Sequence, residues 1–215
     1  MHRRSFVKAA AATAVLSGTS AASLVANAAA ETAVMDALLD SWSGPNGGVP
    51  RFDKITKTAF KPALLRGMDL ARAEVKAIAE QMSASTFDNT ILAFEDSGRP
   101  LARASILFRV YTSTMNDKEM QKIEADMSPV LAGFDDEVTQ NEALFARIKA
   151  VHDGRALLNL DPVQRRLVEV HYNRFAREGA ALDQAKKARL KEINRKLASL
   201  FTTFSQNVLA DEENY

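Results

Sequence analysis

Three histidines and three runs of carboxylates are the side chains in this 215-residue sequence best suited to chemistry. A metal site could in principle draw on His152, His171 and a carboxylate. A catalytic zinc needs about three protein ligands set around an open position. Neither histidine has a second ligand at helical spacing, and H-E-x-x-H does not occur. His171 stands four residues after Leu167 and four before Phe175, on the inward side of a helical pattern, where a hydrogen-bonded structural imidazole is expected. His152 lies beside Asp153 at a helix end, and His2 lies in a leader-like segment.

The carboxylates cluster as Glu95-Asp96, Asp135-Asp136-Glu137 and Asp211-Glu212-Glu213. Sequence neighbours on a helix point in different directions, so none forms an acid–base pair by spacing alone. There is no G-x-S-x-G and no phosphate-cradling glycine loop. The absence of cysteine excludes thiol nucleophiles, disulfides and cysteine-ligated metals. No catalytic and no metal-ligating residue is therefore assigned in this chain.

Charged residues make up 26% and hydrophobic residues 47%, values ordinary for a globular body. The first thirty residues hold Arg3, Arg4 and Lys8 and no acid, so the formal charge of +1 falls to about −2 beyond them. A nearly neutral body gives no electrostatic footprint for nucleic acid.

Residues 1–30 read as an export address. Arg3-Arg4 followed by Ser5, Phe6, Val7 and Lys8 resembles a twin-arginine signal, with His2 where that signal usually carries Ser or Thr. Ala26-Asn27-Ala28 and Ala28-Ala29-Ala30 both fit the small-x-small rule for cleavage. The apolar run between is interrupted by Ser17, Gly18, Thr19 and Ser20 and is too weak for a stable membrane span. An ordinary secretory signal or an amphipathic surface helix are the alternatives. The expected location is periplasmic or secreted.

The rest must be built from helices, since no stretch alternates as a strand; the expected class is all-α. Residues 31–43 predict a short helix, and "SGPNGGVP" at 43–50 reads as a Gly/Pro linker. A first long helix is expected over 61–82, with Leu65, Met68, Ala71 or Arg72, Val75 and Ile78 inward. A helix restarts near Thr86 and breaks or kinks at Gly98-Arg99-Pro100. It resumes over 101–113 with Leu101, Ile106, Leu107, Val110 and Tyr111 inward. Asn116 with Glu119 has capping-box spacing, and Pro129 should bend the helix that follows. Leu144, Phe145, Ile148 and Val151 mark a further helix. Asp161, Pro162 and Gln164 start another, which Gly179 ends.

Asp183 caps the last helix, in which Leu190, Ile193, Leu197, Leu200, Phe204 and Val208 recur at steps of 3, 4, 3, 4 and 4. That seam must bury against something. Lys187, Lys191 and Arg195 form a row expected on the solvated face. The seam runs into "SQNVLADEENY", a helical phrase with no closing turn.

Five blocks occur in order: "FDKITKTAFKPALLRGM", "STFDNTILAFEDSGRPLARASILF", "LFARIKAVHD", "LDPVQRRLVEVHYNRFAREGAAL" and "KARLKEINRKLASLFTTFSQNVLADEENY". Over residues 52–215 they resemble the N-terminal region of the thimet oligopeptidase family of zinc metallopeptidases, in its bacterial peptidyl-dipeptidase and oligopeptidase A branch. The resemblance implies an all-helical prolate enzyme with a deep channel for short peptides. In that enzyme H-E-x-x-H and a later glutamate hold one zinc. Those residues have no counterpart here, so the zinc is expected in the full-length enzyme and not on this chain. The expected organisation is residues 1–30 as signal, 31–50 as short helix and linker, and 51–215 as an incomplete peptidase region that walls the channel. Its expected partners are short peptides and the missing C-terminal catalytic region. A free-standing, non-catalytic helical binding module in the periplasm is the alternative.

Overall fold

A computed structural model describes residues 32–45 and 48–213. These residues are helical and contain no β-strand. Residues 32–39 form α1, and an isolated antiparallel bridge pairs Ser43 with Val49. The remaining helices are α2 (Phe60–Ala79), α3 (Ala93–Asp96), α4 (Arg99–Thr114), α5 (Lys118–Thr139), α6 (Glu142–Gly154), α7 (Pro162–Arg177) and α8 (Gln184–Glu213). A π-helical turn, Phe87–Leu92, leads directly into α3. Among the described residues no helix is long and apolar enough to cross a membrane.

Two hydrophobic cores share α2. Phe60, Leu64 and Met68 join Leu38, Leu107, Met120 and Met127 in the first. Val75 and Ile78, farther along the helix, join Ile91, Leu144, Ile148, Val168 and Phe175 in the second. The inward stripe of α2 includes Ala63, Gly67 and Ala71 at steps of four. A Cβ on Gly67 would stand 2.9 Å from Leu101 Cα, so this stripe lets α4 approach almost to backbone contact.

That approach sets the rotation of both helices and corrects two expectations. On α2, Leu64 and Ala71 face inward, whereas Leu65 is exposed and Arg72 reaches outward to carboxylates. On α4, Ala104, Leu107, Phe108 and Tyr111 face inward, and Ile106 and Val110 are exposed. The first long helix also stops at Ala79, short of the expected 82.

Most helix ends follow local chemistry. Thr86 Oγ1 accepts from Asn89 N at 3.1 Å while Asn89 Oδ1 accepts from Thr86 N at 2.8 Å, a reciprocal cap. Gly98 takes φ +69° at the break before α4. Asp161 and Gln164 form the expected capping box. Gly179, at φ +91°, ends α7 with Ala180 N donating to Phe175 O and Gly179 N to Ala176 O, a Schellman pattern. The cap of α5 differs: Asp117, not Asn116, accepts from Met120 N, at 3.1 Å. Asp117 also pairs with Lys57, while Asn116 turns to Glu124. Helix α5 runs through Pro129 without a break.

The largest departure is in α8. It lies antiparallel along α5 through its polar side: Gln206 meets Gln121 O, Thr202 meets Ser128, and Asn194 meets Asp136. Lys187, expected in solvent, is only 4% exposed and pairs with Glu142 at 2.9 Å. Arg195 lies against Gly133, where an added Cβ would stand 3.0 Å from its Nε. The apolar seam faces the other way; Phe201 and Phe204 are 67% and 66% exposed. Polar complementarity to α5 and α6 decides this orientation.

Candidate functional site

The best-formed cluster of titratable groups lies where α3, α5 and α7 converge. The π-turn and the break at Gly98 hold the short α3 so that Glu95 faces α7. Glu74 Oε2 accepts from Gly98 N at 2.6 Å and fixes that break to α2. His171 Nε2 lies 2.6 Å from Glu95 Oε1. The Phe94 ring meets the imidazole edge-on at 5.4 Å and the Phe175 ring at 5.5 Å. Beside the pair is a cavity of about 250 Å³, lined in part by Phe94, Glu95, Phe134, Val138, His171 and Arg174.

Burial holds the His171 imidazole below its ordinary pKa; Glu95 opposes that shift, and Arg174 adds to it. The bond to a carboxylate places the proton of the neutral ring on Nε2. Nδ1 is then a bare acceptor, buried and without a partner among the described residues. Among the described residues no hydroxyl is bonded to the ring, and its bond to Glu95 ties α7 to α3.

A second cleft of about 370 Å³ adjoins the first and shares Val75 and Val138 with it. Arg72 lines its wall: Nε lies 3.0 Å from both oxygens of Glu137, and the guanidinium sits over the Phe134 ring at 5.2 Å. The three adjacent acids of α5 reach three different helices. Asp135 meets Arg174 of α7, Asp136 meets Asn194 of α8, and Glu137 meets Arg72 of α2. Their divergence follows from the rotation per residue of a helix and makes α5 the hub of the bundle.

His152 is separate from His171. Its ring stacks on Tyr172 at 3.9 Å and its Nδ1 faces Asp153 at 3.2 Å. Asp96 pairs with Arg99. Among the described residues no three of His, Cys, Asp and Glu gather closely enough to hold a metal ion. Arg3, Arg4, Phe6, Lys8, Ala26, Ala28 and Ala30 lie outside the described residues.

Arg147 was not singled out from the sequence. It is buried, and its guanidinium donates to Gln81 O and Ser83 O, each at 3.0 Å, and to Asn89 Oδ1 at 2.9 Å. It thereby clamps the segment between α2 and the π-turn onto α6. Its one local signal is its position between Leu144 and Val151 on the inward face of α6.

These features define a helical scaffold whose polar groups are largely spent on joining helices. No family model matches the chain. Dipeptidyl carboxypeptidase of Escherichia coli is 41% identical to it, and that of Salmonella typhimurium 39% identical, each over 161 residues. Oligopeptidase A of Escherichia coli is 25% identical over 161 residues. Each match covers 75% of this chain and 24% of the relative, so the chain spans about a quarter of the length of these enzymes. Over that stretch the chain is homologous to the dipeptidyl carboxypeptidase and oligopeptidase A members of the thimet oligopeptidase family.

Proposed function

We propose that this chain is the N-terminal, channel-wall portion of a zinc-dependent peptidyl-dipeptidase that hydrolyses short peptides, and that it does not hydrolyse them by itself. The observation that carries the reading is the 41% identity to a dipeptidyl carboxypeptidase over 161 residues. Zinc does not fit the donors of the described residues. His171 has its Nε2 committed to Glu95 and its Nδ1 buried, and His152 is stacked on Tyr172. H-E-x-x-H is absent from the sequence. What these residues contribute is a rigid helical wall that limits which peptides enter. In the intact enzyme the exposed seam of α8 would dock against the catalytic region.

The same proposal has residues 1–30 directing export to the periplasm by the twin-arginine route, with cleavage after Ala28 or Ala30. N-terminal sequencing of exported material should begin at Ala29 or Glu31; retention of Met1 would exclude it.

The peptidase reading is tested with a chimera in which residues 52–215 replace the equivalent quarter of Escherichia coli dipeptidyl carboxypeptidase. The chimera should release C-terminal dipeptides from a blocked oligopeptide and lose that activity on chelation. The present chain assayed alone with zinc should not. A folded, zinc-loaded chimera without turnover would overturn the reading, and so would zinc-dependent cleavage by this chain alone.

A further inference from the structure

Helix α8 is attached to the bundle differently from the other long helices. Helices α2, α4, α5, α6 and α7 each bury apolar side chains in one of the two cores. Among the described residues neither core takes a side chain from α8, and the buried residue of α8 is Lys187. Beyond Lys187 the bonds to α5 are sparse and polar. Asn194 Nδ2 donates to Asp136 Oδ1 at 2.6 Å, and Thr202 Oγ1 donates to Ser128 Oγ at 2.8 Å. Gln206 Nε2 donates to Gln121 O at 2.8 Å and to Glu124 Oε2 at 3.2 Å. We propose that α8 is a hinged arm, which swings off α5 and back as one unit while both cores stay folded. The inference does not rest on the peptidase reading. It concerns the polar face of α8, opposite the apolar seam, and so holds whatever covers that seam.

The polar contact itself holds weakly. A hydrogen bond exchanged for bonds to water contributes little net stability, and the apolar burial that fixes the other helices is missing here. Docking also keeps a carboxylate out of water. Asp136 is 3% exposed, and its Oδ1 accepts from the side-chain amides of Asn194 and Gln140. Asp136 Oδ2 and Gln140 Oε1 are buried without a partner among the described residues. Moving Asn194 away opens this group to water, and its hydration offsets the bonds that are lost.

The joint lies between α7 and α8. Ala180 is fixed in the second core, but Ala181, Leu182 and Asp183 are exposed. A few such residues suffice to absorb a change in chain direction. The first turns of α8 stay near the pivot: Lys187 holds Glu142 at 2.9 Å, and Leu190 lies so close to Gly179 that an added Cβ would stand 2.7 Å from its Cδ2. Gln206 is about 33 Å farther along the axis than Gln184, at 1.5 Å per residue, so a small rotation at the joint separates the far contacts first.

The test is hydrogen exchange of the full chain, followed over α2, α7 and α8 at urea concentrations below the unfolding transition. Amides of residues 191–213 should exchange about tenfold or more ahead of those in α2 and α7. Their rates should depend little on urea, because the swing exposes little apolar surface. The chain has no cysteine, so Ser128→Cys with Thr202→Cys introduces its only thiols, where two hydroxyls now stand 2.8 Å apart. The oxidised pair should slow exchange in α8 about tenfold or more, and reduction should restore it. Asn194→Ala should speed exchange in α8 and leave α2 and α7 unchanged. Exchange of α8 together with α2 and α7 at one urea-dependent rate would overturn the proposal. So would thiols that never link, a closed disulfide without effect on α8, or an Asn194→Ala variant in which all three helices move alike.

Discussion

His171 and Glu95 stand 76 positions apart in sequence and 2.6 Å apart in space, and their bond joins α7 to α3. The groups around the imidazole are Glu95 on α3, Arg174 on its own helix and Asp135 of α5, which holds Arg174 at 2.8 Å. Burial outweighs Glu95 and keeps the folded pKa below the ordinary 6.5.

The sign of the pH dependence follows. Because the unfolded chain binds this proton more readily than the folded one, the stability contributed here is complete above about pH 6.5. It is lost as pH falls through the depressed folded value. The paired carboxylates Asp117, Asp126 and Asp183 are held below their ordinary 3.8, so their loss comes at lower pH. Urea midpoints taken from neutral to mildly acidic pH should therefore fall in the native chain and fall less in His171→Gln. Equal slopes would remove His171 as the cause.

Arg147 yields a second expectation. Arg147→Met keeps much of the side-chain bulk but strips donors from two backbone carbonyls and from Asn89. Leaving buried polar groups unpaired costs about 1–3 kcal/mol. The amides of residues 81–89 should then exchange hydrogen faster, ahead of those in α4. Unchanged exchange there would mean that the clamp does not hold this segment.

Glycine substitutions separate helix propensity from packing. Alanine in place of a helical glycine is intrinsically favoured by about 1 kcal/mol. At Gly67 the new Cβ would meet Leu101 Cα at 2.9 Å, and a backbone atom cannot move without separating α2 from α4. Gly67→Ala should destabilise by about 1–3 kcal/mol. Gly154→Ala, with nothing within 4 Å of its added methyl, should be neutral or stabilising. Denaturant midpoints for the two variants should move in opposite directions or differ clearly; a stabilised Gly67→Ala would show that the helices have room.

The places where helices begin and end were largely written in local sequence. Asp161, Pro162 and Gln164 start α7, Gly179 stops it, and Asp183 caps α8 by accepting from Lys186 N at 2.9 Å. These are contacts within a few residues, and they act whatever the rest of the chain does. At the start of α5 the expected Asn116 gave way to its neighbour Asp117, which accepts from Met120 N. A residue 60 positions away, Lys57, pairs with the one that caps.

Which way a helix faces was another matter. Periodicity marked Leu190, Ile193, Leu197, Leu200, Phe204 and Val208 as one stripe of α8 and Lys187, Lys191 and Arg195 as another. It carried no information on which stripe would find partners. Glu142, Asp136, Ser128 and Gln121 lie far away in sequence and bond Lys187, Asn194, Thr202 and Gln206, so that side of α8 turned inward while Arg195 stayed exposed. The same holds for the site. His171 was recognisable as an inward imidazole, but Glu95 reaches it only because the π-turn sets the direction of α3. The rotations of α2 and α4 likewise depend on Gly67 meeting Leu101. Local interactions choose helices and their ends; the pairing of side chains between helices depends on relative rotations that packing alone sets.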